Sequence, residues 1–171
     1  MSLSTKYVSM MSKYSNKILG VAKNFSTDAA ELAALRSKEP VVFEKGLNSL
    51  SYCPKALTVY VRGDLLVEAE LGLVIGKTGK DIPLKNAMDY IGGYNLSVDF
   101  TDTRAMWYRQ NGYSFTCAKS LDNYTPMGIF IDRSKIPDVF NVDLSCKATS
   151  NNETTVDFRG NSSQFVFTPA E

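Results

Sequence analysis

Three acidic side chains and one lysine are the residues of this sequence whose types and spacing could do chemistry. Glu68 and Glu70 lie two positions apart in an apolar segment, Asp99 follows a second apolar-rich segment, and Lys119 comes later. Successive side chains of a strand point to opposite faces, so the two glutamates would share one face. Three carboxylates at one end of a sheet repel one another unless a cation lies among them.

The proposed donors are all oxygen atoms, which favours Mg2+, Mn2+ or Ca2+ over zinc. The alternative is that Glu68 and Glu70 form the solvated face of an antiparallel strand, where outward polar residues are common. Gly72 and Val74 continue the same face, which is therefore not uniformly polar. This mixture favours a binding site. The opposite face would be apolar throughout, with Val67, Ala69, Leu71, Leu73 and Ile75.

The composition excludes several classes of function. The chain contains no histidine, which excludes histidine-ligated metals, Ser-His-Asp triads and a histidine general base. It has 19 basic and 18 acidic residues and no basic block, so nucleic acid is not expected as a partner. No stretch approaches the roughly 18 consecutive apolar residues of a membrane helix, so no membrane partner is expected.

The elements that must position these residues are mostly short strands. The pattern predicts a mainly β fold with a few short helices, an α+β class. Strands are predicted over 17–22 (buried), 41–43, 56–62, 67–75, 91–99, 129–131 and 142–148. A helix is predicted after Ser26 or Thr27, either of which can cap it, with Asp28 and Glu31 in its first turn. A second, short helix is predicted over 84–90.

The chain of 171 residues is long enough for one domain. We expect an N-terminal extension over 1–16 and a single domain over 17–171. The first 27 residues contain lysines and serines but no acid, which loosely resembles a mitochondrial transit segment. Cys53, Cys117 and Cys146 fit neither a disulfide framework nor a zinc knuckle and indicate a reducing compartment. The predicted location is mitochondrial or cytoplasmic.

Five motifs in a fixed order resemble the fumarylacetoacetate hydrolase superfamily, especially its small acylpyruvase and oxaloacetate decarboxylase members. They are Glu68-x-Glu70, Ile75-Gly76-Lys77, Met88 to Tyr94, Asp99-x-Thr101 and Ala118-Lys119-Ser120. The resemblance runs from about Lys17 to Phe167. It implies a mixed β roll or barrel of the C-terminal-domain type, usually as a homodimer.

The resemblance also implies roles for single residues. Glu68, Glu70 and Asp99 would hold Mg2+ or Mn2+, and Lys119 would contact a small 2-oxo acid such as an acylpyruvate or oxaloacetate. Thr101 and Asp122 match further active-site positions and are candidates for substrate binding. A metal chelated by a pyruvoyl group acts as a Lewis acid and stabilises the enolate left when the adjacent C–C bond breaks.

The sequence departs from the family pattern in the lid motif and in the arginine motif. Asp28 stands where the family lid has its histidine, and Glu31 keeps the family glutamate, so this pair is the candidate base. A carboxylate base would need a raised pKa to act near neutrality. Arg104, a candidate for substrate binding, is displaced by one position, and Met106 replaces the family glutamine. The domain is expected to be C-terminally short, since the family continues with a helix, a strand and a closing loop.

Three functions follow as expectations. The first is a Mg2+-dependent hydrolase or lyase that cleaves or decarboxylates acylpyruvates or oxaloacetate. The second is keto–enol tautomerisation of oxaloacetate, which needs the metal and a proton shuttle but no histidine-activated water. The third is a non-catalytic relative that keeps the fold and serves as a structural or dimer partner.

Overall fold

The computed structural model describes residues 13, 15–52, 56–105, 111–112, 114–150 and 153–171. Most of the expected N-terminal extension, together with Cys53 and Met106, lies outside these residues. In chain order the elements are β1 (Ile18–Ala22), α1 (Ala29–Arg36), β2 (Val41–Lys45), β3 (Leu50–Tyr52), β4 (Leu65–Ile75), α2 (Leu84–Ala87), β5 (Ile91–Asp102), α3 (Thr116–Lys119), β6 (Thr125–Met127), β7 (Ile131–Asp132), β8 (Asp143–Ser150) and β9 (Glu153–Asn161).

The strands form one central sheet and two smaller sheets. The central sheet has the order β3-β6-β5-β4, and β7 also pairs with β5. β3 and β6 are parallel, whereas β5 is antiparallel to its neighbours. β1 pairs with β2, and β8 pairs with β9. Across the described residues the sheets do not close into a barrel. The predicted class, mainly β with a few short helices, is confirmed.

The two long strands β4 and β5 bring the acidic residues together. Their register places Glu68 opposite Asp99, and Glu70 opposite Ser97. Side chains directly opposite one another in an antiparallel pair lie on the same face of the sheet. The predicted shared face of the glutamates is therefore confirmed, and it also carries Asp99. β5 extends to Asp102, three residues beyond the predicted end at Asp99, so that Thr101 joins the same face.

The opposite face of β4 is apolar, as the alternation predicts, but much of it is exposed. Val67 is 40% exposed, Leu73 38% and Ile75 65%. β4 is an edge strand, and the described core instead forms around Ile91, Tyr94 and Val139. Periodicity assigns a side chain to a face, but a second layer has to pack on that face before the side chain is buried.

The prediction of a strand over 56–62 is wrong. The segment makes no ladder pairing and is held by side chains instead. Arg62 Nε donates to Asp102 Oδ2 at 2.9 Å, and Tyr124 Oη donates to the Tyr60 carbonyl at 2.6 Å. Burial alone would raise the pKa of Asp102, but the Arg62 hydrogen bond and backbone N–H donors hold it below its usual value. Alternation predicts an extended backbone, whereas a strand also needs a neighbouring partner.

Three further element predictions are corrected or refined. The strand predicted over 17–22 is β1, but it is not buried, because Leu19 is 55% exposed in a sheet of only two strands. The strand predicted over 129–131 is replaced by β6 and β7, which lie on either side of 128–130. The helix predicted over 84–90 is confirmed as α2 followed by a 3-10 turn.

The residue that caps α1 is Asp28, so the prediction of Ser26 or Thr27 is corrected. Asp28 Oδ1 accepts from the Glu31 backbone N–H at 2.7 Å. Ser26 Oγ accepts from the Asp28 N–H at 3.1 Å and donates to Glu31 Oε2 at 2.6 Å. Both carboxylates predicted as a base therefore take part in the cap. Their catalytic role stays a prediction.

Removal of the Asp28 cap is expected to destabilise the folded chain. The Asp28→Ala variant is expected to lower the free energy of unfolding by about 1 kcal/mol, because the first turn of α1 loses its side-chain acceptor. Urea unfolding followed by circular dichroism measures this loss, with Thr27→Ala as the control. Equal stability of the two variants would contradict the capping role. A large loss of kcat in folded Asp28→Ala would support its predicted role as a base.

Candidate active site

Four of the predicted site residues meet at one point. Lys119, the last residue of α3, donates from Nζ to Glu68 Oε2 at 3.0 Å and to Thr101 Oγ1 at 2.6 Å, and it also bonds Asp99 Oδ2. Thr101 Oγ1 in turn donates to Glu68 Oε2 at 3.2 Å. The fold thus brings residues from β4, β5 and α3 together in one hydrogen-bonded cluster.

Two aromatic rings lie close to the Lys119 ammonium group. Its Nζ lies 5.1 Å from the centre of the Phe43 ring and 6.0 Å from that of Phe115. Both rings attract the cation, and Lys119 is only 5% exposed. Water therefore screens this charge poorly, so its electrostatic effect on a neighbouring anion is stronger than at the surface.

The structure adds Lys45, which the sequence analysis missed. This last residue of β2 is 3% exposed. Its Nζ donates to Asp99 Oδ1 at 2.5 Å and to the Tyr124 carbonyl at 2.8 Å. Burial lowers the pKa of Lys45, an effect that Asp99 partly opposes. Its one sequence signal is its place two residues after Phe43, on the inward side of β2.

Glu70 shows that the site carries an excess of negative charge. Burial, followed by the charges of Glu68 and Asp99, raises the pKa of Glu70, whereas Lys119 and Lys45 oppose the rise, and the net result is a pKa of about 7. The residue nevertheless keeps solvent-exposed surface on the edge strand β4. A cation near this carboxyl would relieve the repulsion.

The donor chemistry fits a hard divalent cation. Glu68, Glu70 and Asp99 offer carboxylate oxygens from one face, and such oxygens are the ligands that Mg2+ and Mn2+ prefer. No three acidic side chains of the described residues already stand at the spacing of metal ligands. The Lys119 ammonium lies between Glu68 and Asp99 instead.

Two other candidates lie apart from the cluster in their described contacts. Arg104 is exposed, and its backbone N–H donates to Asp102 Oδ1 at 3.0 Å. Asp122 is exposed and accepts from Asn48 Nδ2 at 2.8 Å. Their substrate-binding roles stay predictions. Arg104 lies two residues after the end of β5.

Comparison with known proteins identifies the family. Residues 17–171 match the fumarylacetoacetate (FAA) hydrolase C-terminal family. The mitochondrial oxaloacetate decarboxylase of Dictyostelium discoideum is 35% identical over 155 residues, covering 88% of this chain and 69% of that protein. A mitochondrial oxaloacetate tautomerase of Arabidopsis thaliana is 34% identical over 149 residues, covering 85% of this chain and 66% of that protein. The chain therefore belongs to the fumarylacetoacetate hydrolase family, which includes enzymes.

Solved structures agree with this fold. The fumarylpyruvate hydrolase of Pseudomonas aeruginosa, solved in complex with Mn2+ and pyruvate, superposes with a TM-score of 0.74 at 23% identity. The alignment covers 91% of this chain and 68% of that one. The chain spans between 62% and 69% of the length of relatives such as the Dictyostelium decarboxylase and a mouse oxaloacetate tautomerase.

Proposed function

We propose that this chain is a divalent-metal-dependent enzyme that acts on small 2-oxo acids, with oxaloacetate as the preferred substrate. The observation that carries the proposal is the hydrogen-bonded cluster of Lys119, Glu68, Asp99 and Thr101, with Glu70 beside it. Support comes from relatives named for oxaloacetate decarboxylation and tautomerisation. The Pseudomonas neighbour with Mn2+ and pyruvate supports a divalent metal, either Mg2+ or Mn2+.

Each residue of the cluster has a distinct part in the proposed chemistry. Glu68, Glu70 and Asp99 would hold the metal, which supplies Lewis acidity toward the oxygens of the 2-oxo acid when bound. Lys119 places a poorly screened positive charge where negative charge develops on the enolate oxygen. The nearby Phe43 and Phe115 rings would add cation–π attraction to the ammonium group.

Decarboxylation suits these residues best. The bond to the distal carboxylate breaks, its electron pair enters the developing enolate, carbon dioxide leaves, and water returns a proton to the carbon. No base has to activate a water molecule for this step. The chain contains no histidine, and Asp28 and Glu31 take part in the α1 cap. Hydrolysis of an acylpyruvate, in contrast, would need an activated water.

Keto–enol tautomerisation is the second candidate, and one observation favours it. Lys119 donates to Thr101, and Thr101 donates to Glu68, so three groups form a continuous hydrogen-bonded path. Such a path could move a proton between the carbon and the oxygen of oxaloacetate. Tautomerisation conserves all atoms of the substrate, whereas decarboxylation releases carbon dioxide, so product analysis separates the two reactions.

The decisive measurement is the loss of enol absorbance of oxaloacetate and of acetylpyruvate with Mg2+ or Mn2+, and then with excess chelator. We expect chelator-sensitive turnover of oxaloacetate. The Glu70→Gln variant is expected to lose at least about tenfold in metal affinity, because a carboxylate donor becomes a neutral amide. Isothermal titration with Mn2+ measures that loss.

Glu44→Gln is the matched control for Glu70→Gln, since Glu44 is an exposed glutamate of β2. It is expected to bind Mn2+ as the unmodified chain does. Turnover that survives the chelator would refute the proposal. Metal binding without turnover of either substrate would identify the non-catalytic relative, and turnover of acetylpyruvate alone would identify a hydrolase.

We also propose that the chain works in mitochondria as a homodimer, without nucleic acid or membrane partners. The location follows the mitochondrial names of its relatives. Among the described residues, the helices are too short or too polar to cross a membrane. Light scattering at micromolar concentration is expected to give twice the monomer mass of 18.9 kDa. The monomer mass would contradict the dimer.

A further inference from the structure

We propose that Lys45 is a positioning residue of the metal centre, which orients the Asp99 carboxylate toward the ion. The inference rests on the proposed function, because it concerns the same site. Asp99 is 8% exposed and has a lysine on each of its oxygens. Lys45 bonds Oδ1, and Lys119 bonds Oδ2. The two lysines are held differently, and this difference separates their roles.

Lys45 is held firmly from several directions. It pairs with Ile18 across the β1–β2 sheet. The next residue, Gly46, donates its N–H to Ser120 Oγ at 2.9 Å. The ammonium group also donates to the Tyr124 carbonyl at 2.8 Å. The strand end, the neighbouring loop and a backbone acceptor thus fix the cation, and little side-chain freedom remains to be lost.

Lys119, in contrast, divides its bonds among three partners. Glu68, Thr101 and Asp99 all accept from it. A lysine that turns toward a substrate anion has to weaken some of these bonds. Lys45 would then hold Asp99 in place, because the described hydrogen bonds of Lys45 go only to Asp99 and to the Tyr124 carbonyl and need not break when substrate binds. Each carboxylate oxygen has two lone pairs, so Oδ1 can accept from Lys45 and still face a metal ion.

Two other roles for Lys45 predict different results. If Lys45 only contributed positive charge, it would repel a divalent cation, and its removal would tighten metal binding. If Lys45 only stabilised the fold, its removal would leave the metal affinity of the folded chain unchanged. A positioning role requires that removal weakens metal binding. The direction of the change in affinity therefore distinguishes all three roles.

The test uses Mn2+ as the probe and measures free Mn2+ by electron paramagnetic resonance. Lys45→Met is expected to weaken Mn2+ affinity about tenfold, the size typical of lost support behind a metal ligand. Lys45→Arg keeps a charged donor and is expected to recover part of this loss. Lys80→Met, at an exposed lysine, is the matched control and should bind as the unmodified chain does.

A double-mutant cycle tests whether Lys45 acts through Asp99. In an Asp99→Asn background, the additional Lys45→Met change is expected to alter Mn2+ affinity by less than about twofold, because the two effects share one pathway. A full tenfold loss in that background would overturn the inference. Circular dichroism verifies that each variant is folded. If Lys45→Met does not fold, Lys45→Gln carries the same test with the same expected direction.

Unchanged or tightened Mn2+ binding in folded Lys45→Met would overturn the positioning role while leaving the proposed function intact. A different result identifies failure of the proposed function. If the unmodified chain does not bind Mn2+, both the metal-dependent function and the inference about Lys45 are overturned. Weakened binding that depends on Asp99 supports the inference independently of any turnover.

Discussion

Lys119→Met is expected to lower kcat for oxaloacetate by about a hundredfold to a thousandfold, the range seen when one buried donor to a developing oxyanion is removed. Lys119 is 5% exposed and lies against the rings of Phe43 and Phe115. A charge in such a place needs no reorganisation of water when the enolate forms. Methionine keeps much of the side-chain volume but has no charge and no donor.

Steady-state kinetics with oxaloacetate and Mn2+ would measure this loss as kcat and KM separately. A fall in kcat with little change in KM is expected if Lys119 acts mainly on the transition state. The control is Lys80→Met, since Lys80 has a side chain 90% exposed and lies outside the cluster. A fall of less than about threefold for Lys119→Met would show that its charge is not used in the reaction, because the expected loss is about a hundredfold or more.

Asp99→Ala is expected to lower the free energy of unfolding by about 3 to 5 kcal/mol, because it leaves two buried cations without their shared partner. Lys45 is 3% exposed and Lys119 is 5% exposed. Lys45 would retain only the Tyr124 carbonyl, and Lys119 only its bonds to Glu68 and Thr101. Lys119 would still face the half-exposed Glu68 carboxylate, but Lys45 would have only a neutral carbonyl among its described partners.

Urea unfolding in excess chelator measures this cost without a contribution from bound metal. Ser97→Ala is a suitable control, because Ser97 is on β5 two residues away and on the same face. We expect this control to change stability by less than about 1 kcal/mol, since it removes no buried charge partner. An equally small change for Asp99→Ala would contradict the view that Asp99 balances both lysines.

Local pattern predicted the acidic face of the site correctly. The two-residue spacing of Glu68 and Glu70 requires a shared face in any strand, and the register across β4 and β5 then adds Asp99. Thr101 lies two residues after Asp99 and follows the same rule. Lys119 could be included only through the ordered family motifs, because no local periodicity connects a helical residue with a strand face.

Other features depended on partners that lie far away in the chain. Lys45 and Asp99 are 54 positions apart, and neither position indicates the other. The predicted strand over 56–62 lacked a neighbouring strand, although its alternation was correct. Asp28 caps α1 in place of Ser26 or Thr27, because its carboxylate accepts from the Glu31 N–H. The local sequence did not indicate which of these neighbouring residues would be the N-cap.

The sequence by itself determined the class of fold, the family, and the face on which the carboxylates lie, because alternation and ordered motifs are properties of the chain alone. Only the tertiary structure decided that two lysines share Asp99, that aromatic rings lie close to Lys119, and that the apolar face of β4 stays exposed. The physical reason is that burial and ion pairing arise between elements. Their strength depends on distances and solvent exclusion that form only when separate strands and helices pack together.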